Sequence, residues 1–105
     1  MEQIRLISVR ELDTYVNLYP QITLLDVRTE EEYRASHIRH AVNVPYREGI
    51  VWRLPRWKKV VVYCERGSAS MMAARELQKL GYRVVSVAGG IQEYRGTNLV
   101  FSEHA

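Results

Sequence analysis

Four short runs of β-branched and other apolar residues constrain the fold more than any other feature of this sequence. The runs are nearly continuous, so apolar side chains point to both faces of each extended segment. Strands of this kind are typical of a parallel sheet with helices on both sides, because both faces of the sheet are then buried. The predicted strands cover residues 22–27, 41–44, 60–63 and 84–87, with a weaker fifth run at 4–7.

The segments between these runs carry helix signals. Ser8 followed by Glu11, and Thr29 followed by Glu32, fit capping boxes at the starts of two helices. Strands that alternate with helices along the chain indicate an α/β domain wound around a mainly parallel sheet.

A third helix is predicted to begin near Ser70 and to end at Gly81, which fits a C′ glycine. Its apolar residues recur at helical spacing, so one face is expected to pack on the sheet. That face comprises Met71, Ala73, Ala74, Leu77 and Leu80.

Composition limits the class of protein. With 105 residues, the chain is predicted to form one domain over residues 1–105, with residues 97–105 as a C-terminal tail. A single cysteine excludes an internal disulfide, and no apolar run approaches the roughly 18 residues of a membrane span, so a cytoplasmic location is expected. The net charge of +3 comes from intermixed basic and acidic residues, so no nucleic-acid or membrane partner is predicted.

The cysteine, Cys64, stands where an apolar run ends and a loop of small residues begins. In open α/β sheets, ligands bind beyond the carboxyl ends of the strands, at helix N-termini. The loop can curl so that several backbone N–H groups point inward, and these dipoles favour a thiolate. Glu65 is expected to point to solvent, because an inward carboxylate would oppose that thiolate. The alternative is a buried core thiol without chemistry.

Polar residues near the predicted strand ends allow two interpretations. Asp26 and Arg28 would either support the cysteine loop and add positive potential, or serve the local structure. In the second interpretation, which is favoured, Asp26 holds the strand-to-helix turn and Arg28 pairs with Glu31 or Glu32. His37 is expected to end a helix and bond a carbonyl rather than act as a base. The sequence has no Cys/His cluster with ligand spacing, so no metal site is predicted.

Two longer stretches carry a family resemblance. Residues 24–45, LLDVRTEEEYRASHIRHAVNVP, resemble the first signature of the rhodanese family, in which a strand ending Asp-x-Arg leads through an acidic helix to a short strand ending Asn-x-Pro. Residues 60–94, VVVYCERGSASMMAARELQKLGYRVVSVAGGIQEY, resemble the second signature, with its cysteine loop, helix, last strand and Gly-Gly turn. The resemblance implies a three-layer α/β domain whose mainly parallel five-stranded sheet is flanked by helices.

Rhodaneses are sulfurtransferases, so the resemblance implies persulfide chemistry. Cys64 would be the nucleophile and persulfide carrier, taking sulfur from a small anionic donor such as thiosulfate and passing it to a thiol, cyanide or protein-cysteine acceptor. This scheme needs neither a metal nor an organic cofactor. Asp26 and Arg28 would support the site, and the substrate-binding loop would comprise Glu65, Arg66, Gly67, Ser68, Ala69 and Ser70.

The loop departs from the family pattern at its sixth position. Many rhodaneses have an arginine there that helps to bind the anionic donor, whereas this chain has Ala69, and Arg66 is the candidate replacement. A second interpretation therefore stays open, in which the chain is a non-catalytic or weakly active module for protein binding or sulfur relay. A phosphatase of the same fold is disfavoured, because Ser70 stands where the phosphate-clamping arginine would be.

Two segments lie outside the signatures. The loop at 45–59 places Trp52 and Trp57 among basic residues, and core packing of one tryptophan is favoured over a recognition surface for an acidic partner. The apolar tail residues 99–101 either fold back onto the sheet or bind a partner such as a second copy of the chain. A monomer and a weak homodimer are both compatible with the sequence.

Overall fold

Five parallel strands form the central sheet of the computed structural model, which describes residues 3–101. The predicted parallel sheet is therefore confirmed, although the outer strands are shorter than the apolar runs. The strands are β1 (Arg5–Ile7), β2 (Ile22–Asp26), β4 (Val42–Asn43), β5 (Lys59–Tyr63) and β6 (Val84–Val87). They lie in the order β1-β6-β5-β2-β4, so β6, β5 and β2 each have a neighbouring strand on both edges.

Three α-helices lie between the strands in sequence: α1 (Val9–Val16), α2 (Glu30–Ala35) and α3 (Ser68–Lys79). Both predicted capping boxes are present, at the starts of α1 and α2, with each side chain bonded to the other residue's backbone N–H. None of these helices, nor any other within residues 3–101, combines the length and apolar content needed to cross a membrane.

Helix α3 begins earlier than the predicted start near Ser70. Gly67 is its N-cap residue and has φ +112°, a left-handed conformation that favours glycine and lets the chain turn sharply into the helix. The helix ends as predicted, because Gly81 has φ +95° and its N–H bonds the Gln78 carbonyl. The Tyr82 N–H bonds the Leu77 carbonyl, which completes a Schellman motif.

Apolar side chains form one buried cluster on each face of the sheet. On one face, Leu12 and Val16 of α1 pack against β-strand residues such as Val61. On the other face, Leu77 of α3 packs against a cluster that includes Cys64. The predicted apolar face of α3 is therefore confirmed in its centre but wrong at Leu80, which is 47% exposed because it lies past the last turn of the helix.

A second, two-stranded sheet was not predicted. Strand β3 (Ser36–Ile38) follows α2 directly and pairs antiparallel with β7 (Leu99–Phe101), which belongs to the apolar tail. A 3₁₀ turn at Ile91–Glu93 leads towards β7. The tail therefore folds back onto the protein, although onto β3 and not onto the main sheet. Its last predicted residues, 102–105, lie outside the described part of the chain.

The tryptophans of the loop at 45–59 have different environments. Trp52 is half-buried against the cluster on the α3 side, and its indole N–H donates to Glu76 Oε1 at 3.3 Å. Trp57 is 76% exposed. Core packing of one tryptophan is thus confirmed, and the other remains on the surface.

Candidate active site

Cys64 lies at the carboxyl edge of the sheet, directly after β5 and before the loop that leads into α3. Because β2 and β5 are parallel neighbours, Asp26 lies opposite Tyr63 in their register. Asp26 and Arg28 are consequently beside the cysteine loop, as predicted. Cys64 is only 4% exposed, so its sulfur is largely shielded from solvent.

The Cys64 sulfur accepts a hydrogen bond from the N-terminal end of α3. The donor is the backbone N–H of Gly67, which lies 2.9 Å from Sγ. The positive end of a helix dipole and an N–H donor both favour negative charge on the sulfur. Several loop amides were expected to point towards the thiol. Within residues 3–101, the amide that donates a hydrogen bond to Sγ is that of Gly67.

Two buried serines continue the polar contacts of the thiol. Cys64 Sγ lies 3.5 Å from Ser70 Oγ, and the Ser86 hydroxyl donates to Ser70 Oγ at 2.9 Å. The Ser70 hydroxyl donates to the Gly67 carbonyl at 3.1 Å. Ser70 Oγ therefore accepts from the Cys64 thiol and from the Ser86 hydroxyl, while its own proton is donated to the Gly67 carbonyl.

Ser86 was not identified from the sequence. Its side chain is fully buried in β6, where the neighbouring residues are valines. A hydroxyl in such a strand must find a partner inside the protein, since an unbonded buried hydroxyl is costly. A lone serine in an apolar run was thus the available signal.

A buried ion pair lies behind the site. The Asp26 carboxylate accepts hydrogen bonds from the Arg28 backbone N–H at 2.8 Å and from Arg28 Nη2 at 2.8 Å. The Tyr63 hydroxyl donates to Asp26 Oδ2 at 2.6 Å and accepts from the Ile38 N–H at 3.0 Å. Burial, and then the Asp26 charge, raises the pKa of the Tyr63 hydroxyl far above its ordinary value, so it stays a donor.

The partners of Arg28 differ from both predicted acids. Its guanidinium bonds Asp26 and approaches Glu65 Oε1 at 3.4 Å, whereas Glu32 is used in the capping box of α2. Although burial opposes the charge of Arg28, the hydrogen bonds and the charge of Asp26 outweigh it and raise the pKa of Arg28. The expectation that Glu65 points to solvent holds in part, because its side chain is 38% exposed while one carboxylate oxygen approaches this buried cation.

The Gly-Gly turn after β6 holds the cysteine loop from outside. The Ile91 N–H donates to the Cys64 carbonyl at 2.9 Å, and the Gln92 N–H donates to the Glu65 carbonyl at 3.2 Å. Gly90 has φ +67°, and a Cβ atom there would lie 2.3 Å from the Glu65 carbonyl oxygen. Only glycine fits this close approach of two backbones.

A cavity of about 320 Å³ opens above the thiol. Its apolar wall is formed by Val27 and Ala69, and the exposed Arg66 lies at its rim. The remaining lining residues are polar, namely Arg28, Thr29, Glu32, Cys64, Glu65 and Ser68. The structure thus brings every predicted loop residue together, with Gly67 and Ser70 beneath the cavity and the others around it.

The hydrogen bond and the ring stacking of His37 are both with Tyr33 and not with the thiol. Its Nδ1 atom is 2.9 Å from the Tyr33 carbonyl oxygen and its ring stacks on Tyr33, as its predicted structural role requires. The expectation that His37 ends a helix is wrong, because α2 ends at Ala35 and His37 belongs to β3. Within residues 3–101, no group of three or more histidine, cysteine or acidic side chains is arranged to hold a metal ion.

Known proteins resemble the chain in sequence and structure. It is 36% identical over 73 residues to the thiosulfate sulfurtransferase PspE of Escherichia coli, covering 66% of this chain and 70% of that protein. It is 38% identical over 72 residues to a tRNA sulfurtransferase of Desulfurococcus amylolyticus, covering 69% of this chain and 14% of that protein. The chain spans about a quarter or less of the length of several curated relatives.

A solved structure also resembles the chain in both sequence and fold. The rhodanese-related protein of Thermoplasma volcanium superimposes with a TM-score of 0.74 at 32% identity, covering 91% of this chain and 97% of that chain. The family model described as Rhodanese-like domain matches residues 8–97, which include the strands and loops that build the site. The chain therefore belongs to the rhodanese-like domain family, and its relatives include sulfurtransferases.

Proposed function

We propose that the protein is a sulfurtransferase that carries sulfane sulfur as a persulfide on Cys64. The donor is a small anionic sulfur compound such as thiosulfate, and the acceptor is a thiol, cyanide or a protein cysteine. The observation that carries the proposal is the contact between Cys64 Sγ and the Gly67 N–H, at the N-terminus of α3 and at the base of a cavity.

In the first half-reaction, the Cys64 thiolate attacks the outer sulfur of the donor. A bond forms between Sγ and that sulfur, the bond within the donor breaks, and the leaving group departs with the electron pair. With thiosulfate the leaving group is sulfite. In the second half-reaction, a nucleophilic acceptor attacks the outer sulfur and releases the Cys64 thiolate, so ping-pong kinetics are expected.

The structure supplies what a nucleophilic sulfur needs. The Gly67 N–H and the N-terminus of α3 stabilise negative charge on Sγ, and the Ser70 hydroxyl lies near enough to add a second donor when the sulfur is ionised. The transferred sulfur would lie about 2.05 Å beyond Sγ, on the side where the cavity opens. Stabilisation of this kind resembles that of an oxyanion hole.

A protein-binding or sulfur-relay module with weak turnover is the second candidate. Ala69 gives the loop no charge at the position where rhodaneses commonly have arginine, and Trp57 is exposed among basic residues. A module that only bound proteins would have no need for a thiol in contact with the helix N-terminus, so this contact favours sulfur transfer.

Intact-mass analysis of the reduced protein after incubation with excess thiosulfate tests the proposal. We expect the wild type to gain one sulfur atom, to release an equal amount of sulfite and to lose the sulfur again to cyanide. The Cys64→Ser variant, which has no other cysteine, should gain none. Sulfur on the variant, or no sulfur on the folded wild type with thiosulfate or with a hydropersulfide donor, would contradict the proposal.

A further inference from the structure

Charges around the cavity limit the donors that it can bind. Glu32 and Glu65 both line the cavity, and each carries a carboxylate. Arg66, which is exposed, contributes a cation at the rim and forms no ion pair within residues 3–101. The Gly67 N–H and the α3 dipole are already directed at the sulfur of Cys64.

Arg28 also lines the cavity but has little charge to offer a ligand. Its side chain is 4% exposed, and its guanidinium is shared between the Asp26 carboxylate, the Glu65 carboxylate and the Ser36 carbonyl. A guanidinium with partners on all sides cannot turn to clamp a second anion. When Asp26 is included, the carboxylates around the cavity outnumber the guanidiniums by one.

Thiosulfate suits this cavity poorly. It brings two negative charges, and a dianion is bound well where arginine or lysine side chains converge on it. Ala69 supplies a methyl group at the position that could have supplied such a cation. The same methyl group and Val27 form an apolar wall, which suits an uncharged organic group attached to sulfur.

Building on the function proposed above, we propose that the physiological donor is a hydropersulfide of a thiol rather than thiosulfate. Such a donor is uncharged in its reacting SH form, so it needs no cation in the cavity beyond the Gly67 N–H and the α3 N-terminus that already face Cys64 Sγ. Its organic group lies against the wall formed by Val27 and Ala69.

The chemistry of this step balances without an oxidant or reductant. The Cys64 thiolate attacks the outer sulfur of the hydropersulfide, and a new S–S bond forms as the S–S bond of the donor breaks. The donor thiol leaves as a thiolate and takes the proton of the transferred SH group. Cys64 is left as an anionic persulfide, the same intermediate that thiosulfate would give.

Single-turnover loading of Cys64 tests the donor class. The rate is followed by intact mass with thiosulfate and with the hydropersulfide of N-acetylcysteine methyl ester, an otherwise uncharged donor. The measured quantity is the ratio of the thiosulfate rate constant to the hydropersulfide rate constant. Two variants change the cavity charge, Ala69→Arg and Glu65→Gln, and Gln21→Arg adds the same positive charge at the other edge of the sheet as a control.

We expect the wild type to load faster from the hydropersulfide, with a ratio well below one. Ala69→Arg should raise the ratio about tenfold or more, mainly by lowering KM for thiosulfate, because a guanidinium in the cavity adds a charge-assisted contact with the dianion. Glu65→Gln should raise it in the same direction, and Gln21→Arg should leave it at the wild-type value.

Two outcomes overturn the proposal while leaving the proposed function intact. One is a wild-type ratio of one or more, and the other is a ratio unaffected by the cavity charge. Should Ala69→Arg fail to fold, as judged by circular dichroism, Glu65→Gln decides alone. Failure of the folded wild type to load from either donor would instead refute the proposed sulfurtransferase.

Discussion

The Tyr63 hydroxyl links β3 to the buried Asp26 carboxylate behind the site, and its removal tests the contribution of this hydrogen-bond network to stability. Tyr63 is fully buried; its hydroxyl donates to Asp26 and accepts from the Ile38 N–H. Tyr63→Phe keeps the ring and removes both hydrogen bonds. The Ile38 N–H, at the end of β3, and one lone pair of the carboxylate then lose their partner.

The magnitude follows from these two losses. A buried N–H without a partner costs about 1–3 kcal/mol, and a hydrogen bond to a charged group contributes about 1.5–3 kcal/mol. Because Asp26 keeps its bonds from Arg28, we expect the lower part of the combined range, about 3 kcal/mol of lost unfolding free energy. That is a large fraction of the roughly 5–15 kcal/mol that stabilises a typical domain.

Urea denaturation followed by circular dichroism measures the loss. Tyr19→Phe is the matched control, since Tyr19 is 46% exposed and its hydroxyl makes no hydrogen bond with the described residues, while its stacking on His40 needs only the ring. We expect the control to change the free energy by less than about 0.5 kcal/mol. A loss below about 1 kcal/mol for Tyr63→Phe would refute the reasoning, because the Ile38 N–H would then have another partner.

Gly90→Ala tests how the cysteine loop is held, with Gly49→Ala as its control, and Ser86→Ala tests the hydrogen bonds of Ser70. Gly90→Ala should abolish most sulfur loading and destabilise the fold by more than about 2 kcal/mol, because the new Cβ atom meets the Glu65 carbonyl. Gly49→Ala, at a similar φ but with open space around it, should cost only about 1 kcal/mol and spare loading; equal effects in both would contradict the steric argument. Ser86→Ala should slow alkylation of Cys64 by iodoacetamide at pH 7 about fivefold, since Ser70 loses the donor that directs its proton. An unchanged rate would mean that the Gly67 carbonyl alone orients Ser70.

Much of the fold could be predicted because its signals are local. A short, continuous run of apolar residues predicts a strand whose two faces are both buried. The central strands begin and end within one residue of their predicted bounds. The capping boxes and Gly81 each act within four residues of chain, so neighbouring sequence was sufficient to place them.

Contacts between distant residues could not be predicted in the same way. The pairing of β3 with β7 depends on where the 3₁₀ turn directs the chain, and neither three-residue strand has a distinctive pattern. Arg28 had acidic neighbours in sequence, but its actual second partner, Glu65, lies 37 residues away and is brought close by the β2–β5 pairing. Ser86 reaches Ser70 through the packing of α3 on β6, which no local motif encodes.

In the persulfide cycle proposed above, the burial of Cys64 would decide which of two sulfur atoms an acceptor thiol can attack. Attack on the inner atom would form a mixed disulfide with the protein, discard the cargo as hydrosulfide and end the cycle. The inner atom is almost fully shielded, whereas the outer atom stands one S–S bond further into the open cavity. In the proposed cycle, the depth of the thiol thus sets the regiochemistry of acceptor attack, directing incoming nucleophiles to the atom that is to be delivered and preventing a mixed disulfide between the protein and its acceptor.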